Sequence, residues 1–237
     1  MKRRKRDGRS SGRGQRALRQ RVRSAKGRSA SSRRWLERQL NDPWVAEAQA
    51  RGYRSRAAFK LLQIDERAGI LKPGQRVLDL GAAPGSWSQV AREKVGARGK
   101  VVALDLLPLD PIAGVETLQL DFFDESAPER LRTTLQGPVD LVLSDMAPQT
   151  SGHRQTDHLR IMALAEAALD FAESVLLPGG GFVAKVWQGG SEKEFLNRLR
   201  SRFGRVRHIK PPASRPESAE LFVVATAFRE PREASGA

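Results

Sequence analysis

The sequence predicts an α/β fold: a mostly parallel, seven-stranded sheet with helices on both faces and one antiparallel strand. Three observations carry this prediction. Short apolar runs alternate with longer helix-like segments between residues 35 and 228, the pattern of a sheet whose strands are joined by crossover helices. The runs are short and apolar, as buried parallel strands are. The last two runs are joined by the loop Pro211 to Ser218 with no helix between them, which predicts one antiparallel strand at the end.

Taken in order, Ala57, Ala58, Leu61, Leu62 and Ile64 have helical spacing, and Pro73-Gly74 then marks a turn. Arg76 to Leu80 reads as the first strand, Ser86 to Val95 as a helix and Lys100 to Leu104 as the second strand. Further strands are expected at Val115 to Leu118, Val139 to Leu143, Phe182 to Val186, Val206 to Ile209 and Leu221 to Phe228. Helical patterns cover Glu125 to Leu135, Asp157 to Leu176 and Glu192 to Phe203. Residues 35–228 are one domain's worth of chain, with no internal repeat. Residues 229–237 form a short polar tail. In such sheets ligands bind beyond the carboxyl ends of the strands, so chemistry is sought there.

The formal charge of +15 is unevenly spread over the 237 residues. Residues 1–34 hold 15 of the 42 Lys and Arg and one of the 27 acids, leaving 27 basic against 26 acidic residues in the rest. A nearly neutral body thus carries a strongly basic tail. With so little apolar content, residues 1–34 are expected to be disordered. They read as a solvated charge run, as an arm for RNA phosphates, or as an Arg- and Ser-rich mitochondrial transit peptide; the RNA arm is favoured. Zero cysteines exclude disulfides, a thiol nucleophile and thiolate-bound metal, and three histidines at no ligand spacing predict no metal centre. No run approaches the roughly 18 apolar residues of a membrane span, and no signal peptide is visible. A soluble cytoplasmic monomer is expected.

The first strand ends in Asp79-Leu-Gly81-Ala-Ala-Pro-Gly85-Ser-Trp87. Gly81 and Gly85 let the backbone turn tightly and approach a ligand at a helix N-terminus. The segment is not G-x-G-x-x-G, which counts against a pyrophosphate-bearing dinucleotide. Asp105 ends the second strand, where a carboxylate can accept from both hydroxyls of a ribose. Asp121, beside Phe122 after the third strand, suits an adenine amino group against an apolar wall. In order at three successive strand ends, these features favour an adenosyl ligand without a pyrophosphate, and S-adenosyl-L-methionine fits.

Four charged residues stand out at the other side of the expected site. Lys60 lies on the helix before the first strand, Asp145 follows an apolar strand, Lys185 ends Gly181-Phe-Val-Ala-Lys185-Val-Trp187, and Glu220 opens the last strand. A lysine on a helix is ordinarily a surface residue. Lys185, however, sits among Val183, Ala184, Val186 and Trp187 and must be paired, which makes it a catalytic candidate with Asp145 and Glu220 as partners.

From Ser31 to Ala227 the sequence resembles the FtsJ/RrmJ family (RlmE-type) of large-subunit ribosomal RNA ribose 2′-O-methyltransferases. The segments that carry the resemblance are Ser55-Arg-Ala-Ala-Phe-Lys60, Asp79-Leu-Gly-Ala-Ala-Pro-Gly85, Asp105-Leu-Leu-Pro-Leu-Asp-Pro-Ile112, Ser144-Asp-Met-Ala-Pro148 and Phe182-Val-Ala-Lys-Val-Trp187. The resemblance implies a Rossmann-like class I S-adenosylmethionine-dependent methyltransferase fold. It places the family's catalytic tetrad on Lys60, Asp145, Lys185 and Glu220. Its cofactor contacts fall on Gly85, Trp87, Asp105, Asp121 and Asp145. Ser86 departs from the family's second glycine, and Phe123 stands where an Arg often does.

The activity implied is methylation of a uridine ribose in 23S rRNA, with the large ribosomal subunit as partner and Lys185 taking the hydroxyl proton. The absence of cysteine excludes C5 methylation through a thiol, and Asp145-Met-Ala-Pro148 is not the Pro-Pro-aromatic segment of base N-methylation. Transfer RNA 2′-O-methylation and a noncatalytic ribosome-assembly factor are the alternatives.

Overall fold

The computed structural model describes residues 32, 36–37, 39–149, 151–187 and 193–230. The basic segment 1–34 apart from Ser32, the expected helix start at Glu192 and residues 231–237 of the polar tail lie outside the described residues. The chain divides into two units, Met1–Ala46 and Glu47–Ala237. The Asp42 carboxylate accepts the Trp44 N–H at 3.0 Å, capping a helix α1 (Pro43–Ala50) whose first residue is a proline. The sequence reading did not include this helix, although Asp42-Pro43 is its start signal.

The second unit contains α2 (Ala57–Ala68), β1 (Arg76–Leu80), α3 (Ser86–Val95), β2 (Lys100–Asp105), β3 (Val115–Gln119), α4 (Ala127–Leu135) and β4 (Val139–Ser144). It continues with α5 (Arg154–Val175), β5 (Leu176–Trp187), α6 (Lys193–Arg202), β6 (Phe203–Ile209) and β7 (Glu220–Phe228). The strands form one seven-stranded sheet in the order β3-β2-β1-β4-β5-β7-β6. All neighbours are parallel except that β7, between β5 and β6, runs antiparallel to both. This is the predicted α/β architecture.

The core divides between the two faces of the sheet because successive strand residues point oppositely. On β1, Leu78 and Leu80 join one cluster with Leu131 of α4, Leu169 of α5, Phe182 of β5 and Leu199 of α6. Val77 joins the other, with Leu61 and Ile64 of α2, Trp87 and Val90 of α3, Val183 and Phe222.

Two strand boundaries differ from the sequence pattern by three residues or more. β5 begins at Leu176, six residues before the expected start, because Leu176 already pairs with Val139 before the Pro178-Gly-Gly segment breaks the register. β6 begins at Phe203 and not Val206. Phe203 pairs with Phe228, and its ring packs 5.2 Å from that of Phe228 and 6.4 Å from that of Phe182. Local helical periodicity could not register either contact.

Asp79, on the same face of β1 as Val77, is fully buried. The Ser88 hydroxyl of α3 donates to one carboxylate oxygen at 2.6 Å, and the other oxygen has no hydrogen-bond partner. Burial pushes this carboxyl up to about 7 against the opposing Ser88 hydrogen bond, with Asp145 and Asp105 adding to the rise. The native chain thus retains a proton that the unfolded chain loses near pH 4. The associated stability is full below that value and is lost as pH rises through 7. Asp79→Asn is expected to remove this loss. Its stability relative to the parent chain, followed by urea unfolding, should increase between pH 4 and 7 by up to roughly 4 kcal/mol, and a pH-independent difference would refute the assignment. Phe182→Ala, at a position with no exposure, is expected to cost about 3–5 kcal/mol in the same measurement.

Candidate active site

The ends of β1, β2, β4 and β5 and the start of β7 share one edge of the sheet, because β7 runs opposite to its neighbours. β7 therefore delivers Glu220 at its first residue to the edge where β5 ends: Trp187 is in register with Glu220, and Lys185 with Phe222. The Asp145 N–H bonds the Leu80 carbonyl at 3.2 Å, which holds the residue after β4 against the end of β1. Lys60 reaches the same place from α2.

The four charged residues form one chain of ion pairs. Lys60 Nζ lies 2.8 Å from each carboxylate oxygen of Glu220. Lys185 Nζ is 3.8 Å from Glu220 Oε2 and 2.7 Å from Asp145 Oδ1, and it donates to the Asp145 carbonyl at 2.8 Å. Only 9 % of the Lys185 side chain is exposed, so its contacts must replace water. Two cations and two anions balance, which makes the burial tolerable. At Lys60 burial opposes the charge, but Asp145 and Glu220 outweigh it and raise the pKa above the ordinary lysine value. At Asp145 burial also opposes the charge, and Lys185 and Lys60 outweigh it and hold the carboxyl below its usual range.

Ser214 completes the cluster and had no signal in the sequence. Buried in the loop before β7, it donates its hydroxyl to Glu220 Oε1 at 2.8 Å. The Phe222 ring lies 5.6 Å from Lys60 Nζ, within cation–π range. These two neighbours fix the Lys60–Glu220 pair from both sides.

A cavity of about 670 Å³ opens beside Asp145 and Lys185 and extends along the ends of β1 and β2 to the segment after β3. Of the expected cofactor residues, Gly81, Asp105, Asp121 and Asp145 line it. Gly81 has φ 73°, and a Cβ there would lie 2.6 Å from Met146 Cγ and 2.8 Å from Met146 Cα. Glycine is thus required for the Asp145 segment to pack against the end of β1. Asp105 shapes the rim: Oδ2 accepts the Ala83 N–H and Oδ1 the Leu107 N–H, both at 2.8 Å. Asp121 Oδ1 accepts the Phe123 N–H at 3.0 Å. Leu104, Phe122, Met146 and Leu164 supply apolar wall, and Arg160 of α5, which the sequence did not single out, also lines the cavity.

Two expected cofactor residues do not line the cavity. Gly85, at φ 105°, starts α3, and a Cβ on it would meet Ile112 and Arg54. Trp87 is buried at 2 % exposure; its Nε1–H donates to the Ala57 carbonyl at 2.9 Å, and its ring lies 5.4 Å from that of Phe222. From the first turn of α3 its side chain points into the packing with α2 and β7 and away from the cavity. The indole thereby supports the helix that carries Lys60.

The lining fits an adenosyl ligand that carries positive charge. Asp145 and Lys185 neutralise one another, and Asp105 and Asp121 against Arg160 leave the remaining lining net negative beside apolar walls. A pyrophosphate would meet more carboxylates than unpaired cations, of which Arg160 is the one in the lining. Among the described residues no group of three or more His, Asp or Glu could hold a metal ion.

The FtsJ-like methyltransferase family model matches residues 53–228, a span that contains every element from α2 to β7. A "Ribosomal RNA large subunit methyltransferase E" of Paramagnetospirillum magneticum is 61% identical over 221 residues, covering 91% of each chain. A protein of the same name from Azorhizobium caulinodans is 58% identical over 217 residues, covering 90% of each. Among solved structures, a ribosomal RNA methyltransferase of Plasmodium falciparum is 31% identical with a TM-score of 0.68, covering 74% of this chain and 98% of that one. With the family model matching residues 53–228 and a relative 61% identical over 91% of each chain, the chain belongs to the FtsJ-like methyltransferase family.

Proposed function

We propose that this enzyme uses S-adenosyl-L-methionine to methylate the 2′-hydroxyl of a uridine ribose in 23S rRNA, on the assembled large ribosomal subunit. The observation that carries the proposal is the buried Lys60–Glu220–Lys185–Asp145 chain of ion pairs at one end of an acid-lined cavity. The names of the relatives support ribosomal RNA as substrate.

When bound, S-adenosyl-L-methionine supplies a methyl group activated by its sulfonium. Asp105 and Asp121 would accept from its ribose hydroxyls and adenine amino group, and Asp145 from its methionine amino group; Gly81 lets the Asp145 segment pack against the end of β1 beside them. In this proposal Lys185 receives the proton of the ribose 2′-hydroxyl. Its amino group donates to the Asp145 carbonyl at 2.8 Å and is ion-paired with the carboxylates of Asp145 at 2.7 Å and Glu220 at 3.8 Å. The bond to the carbonyl fixes the position of Nζ toward the substrate. Lys60, kept protonated by Asp145 and Glu220, cannot be the base. It orients Glu220 and sets the positive field at the ribose. The protein contributes alignment of the reacting atoms and proton removal, the latter worth roughly 10² to 10⁴ in rate.

The basic segment 1–34 acts in this proposal as an arm that grips RNA phosphates beside the domain of residues 35–228, in a monomeric cytoplasmic protein. About 15 cations in one segment would displace many condensed counterions. No helix among the described residues is long and apolar enough to cross a membrane.

Lys185→Ala is expected to lower methyl transfer to large subunits by at least roughly 10² while calorimetry shows unchanged S-adenosyl-L-methionine affinity; transfer at the parent rate would sink the assignment. Labelled methyl should enter large subunits in preference to naked ribosomal RNA or transfer RNA, and map to a uridine ribose. Deletion of residues 1–34 should weaken RNA affinity and flatten its salt dependence without changing cofactor affinity. Equal salt slopes for the two chains would refute the arm.

A further inference from the structure

A second cavity lies beyond the tetrad. It measures about 580 Å³ and is lined by Arg154, Trp187, Glu217, Ser218 and Ala219. Trp187 stands two residues after Lys185 on β5, hence on the same face, and pairs across the sheet with Glu220. The separation along the strand is about 6.6 Å. A smaller cavity of about 230 Å³ also borders Lys60 and Glu220, but it is lined by Arg56, Lys60 and Arg215 and has no aromatic face.

We propose that the Trp187 cavity receives the base of the nucleotide being methylated and reads it as uracil. This deepens the function proposed above and rests on it. The base hangs from C1′, the neighbour of the carbon whose hydroxyl is methylated. A ribose held at Lys185 and Glu220 therefore places its base within one strand step of the tetrad, beside the Trp187 cavity, whose lining runs to Ala219, the residue before Glu220. A half-buried indole offers a stacking face that any base can use. The polar groups around it narrow the choice. Uracil presents one donor, N3–H, between two carbonyl acceptors; the Glu217 carboxylate accepts from the first and the Arg154 guanidinium donates to a carbonyl. Cytosine presents an acceptor at N3, which the carboxylate repels.

The backbone segments that carry both walls are hydrogen-bonded. Lys210 Nζ donates to the carbonyls of Pro216 at 3.2 Å and Ser218 at 2.8 Å, and the Ser218 hydroxyl accepts the Glu220 N–H at 3.2 Å. Glu217 and the catalytic Glu220 thus ride on one braced segment. Arg154 opens α5, whose first turn is tied down by Asp157, which accepts the Ser151 N–H and hydroxyl at 2.7 Å each. A pocket braced in this way can discriminate between bases, because misfit costs binding and is not absorbed by loop movement.

The test uses the full chain, labelled S-adenosyl-L-methionine and unmethylated large subunits carrying either uridine or cytidine at the mapped position. Trp187→Ala is expected to lower kcat/KM on the uridine substrate about 5- to 150-fold, the range that loss of one base–aromatic stack produces. Trp187→Phe should recover most of it, and calorimetric cofactor affinity should not change in either. Glu217→Gln, on an exposed loop, should keep the fold and narrow the preference for uridine over cytidine by roughly tenfold, since an amide can donate to cytosine N3. Parent-level kcat/KM in Trp187→Ala together with an unchanged base preference in Glu217→Gln would overturn the pocket assignment alone. No transfer by the parent chain to either substrate would overturn the function on which it rests.

Discussion

A lysine at the end of a buried parallel strand must be neutralised locally, and the geometry around Lys185 follows from that requirement. Asp145 meets it from the end of β4 with both its carboxylate and its backbone carbonyl. Glu220 approaches from β7 only because that strand runs antiparallel and so begins where β5 ends. Glu220 in turn needs Lys60 and Ser214. Breaking a buried pair by removing one partner costs about 3–5 kcal/mol. The tetrad is therefore a structural unit, and the reversed strand is the topological device that closes it.

The cofactor side is governed by a different constraint, that of backbone proximity. Gly81 lets the residue after Asp145 pack against the end of β1, and the Asp105 carboxylate bonds two backbone N–H groups of the surrounding loops. Asp105 therefore builds the pocket that it also lines. Behind this layer Asp79 is buried with one oxygen unpaired and holds its proton to about pH 7. A neutral carboxyl there spares the site a fourth negative charge beside Asp105 and Asp145.

Much of this was legible in the sequence because the signals are local. Each of the seven strands was visible as a short apolar run, and Gly81, Asp105, Asp121, Asp145, Lys185 and Glu220 stood out as polar or flexible residues at the ends of those runs. Where the reading fell short, the deciding contact was distant. Phe203 belongs to a strand because of Phe228 and Phe182, and Trp87 faces the protein interior because α2 offers it the Ala57 carbonyl. Ser214 looked like any loop serine until the fold brought Glu220 to it.

By itself, then, the sequence determined the α/β class, the acid-rich strand ends, the unbalanced charge and a lysine that had to be paired. Each is a property of composition or short-range periodicity. Only the tertiary structure decided that Lys60, some 160 residues before Glu220 in the chain, is its direct partner, and that the cavity takes in Gly81 but not Trp87. It likewise brought Arg154, Trp187 and Glu217 around one space. The physical reason is that pairing and enclosure depend on strand order and direction, which short-range patterns along the chain do not encode.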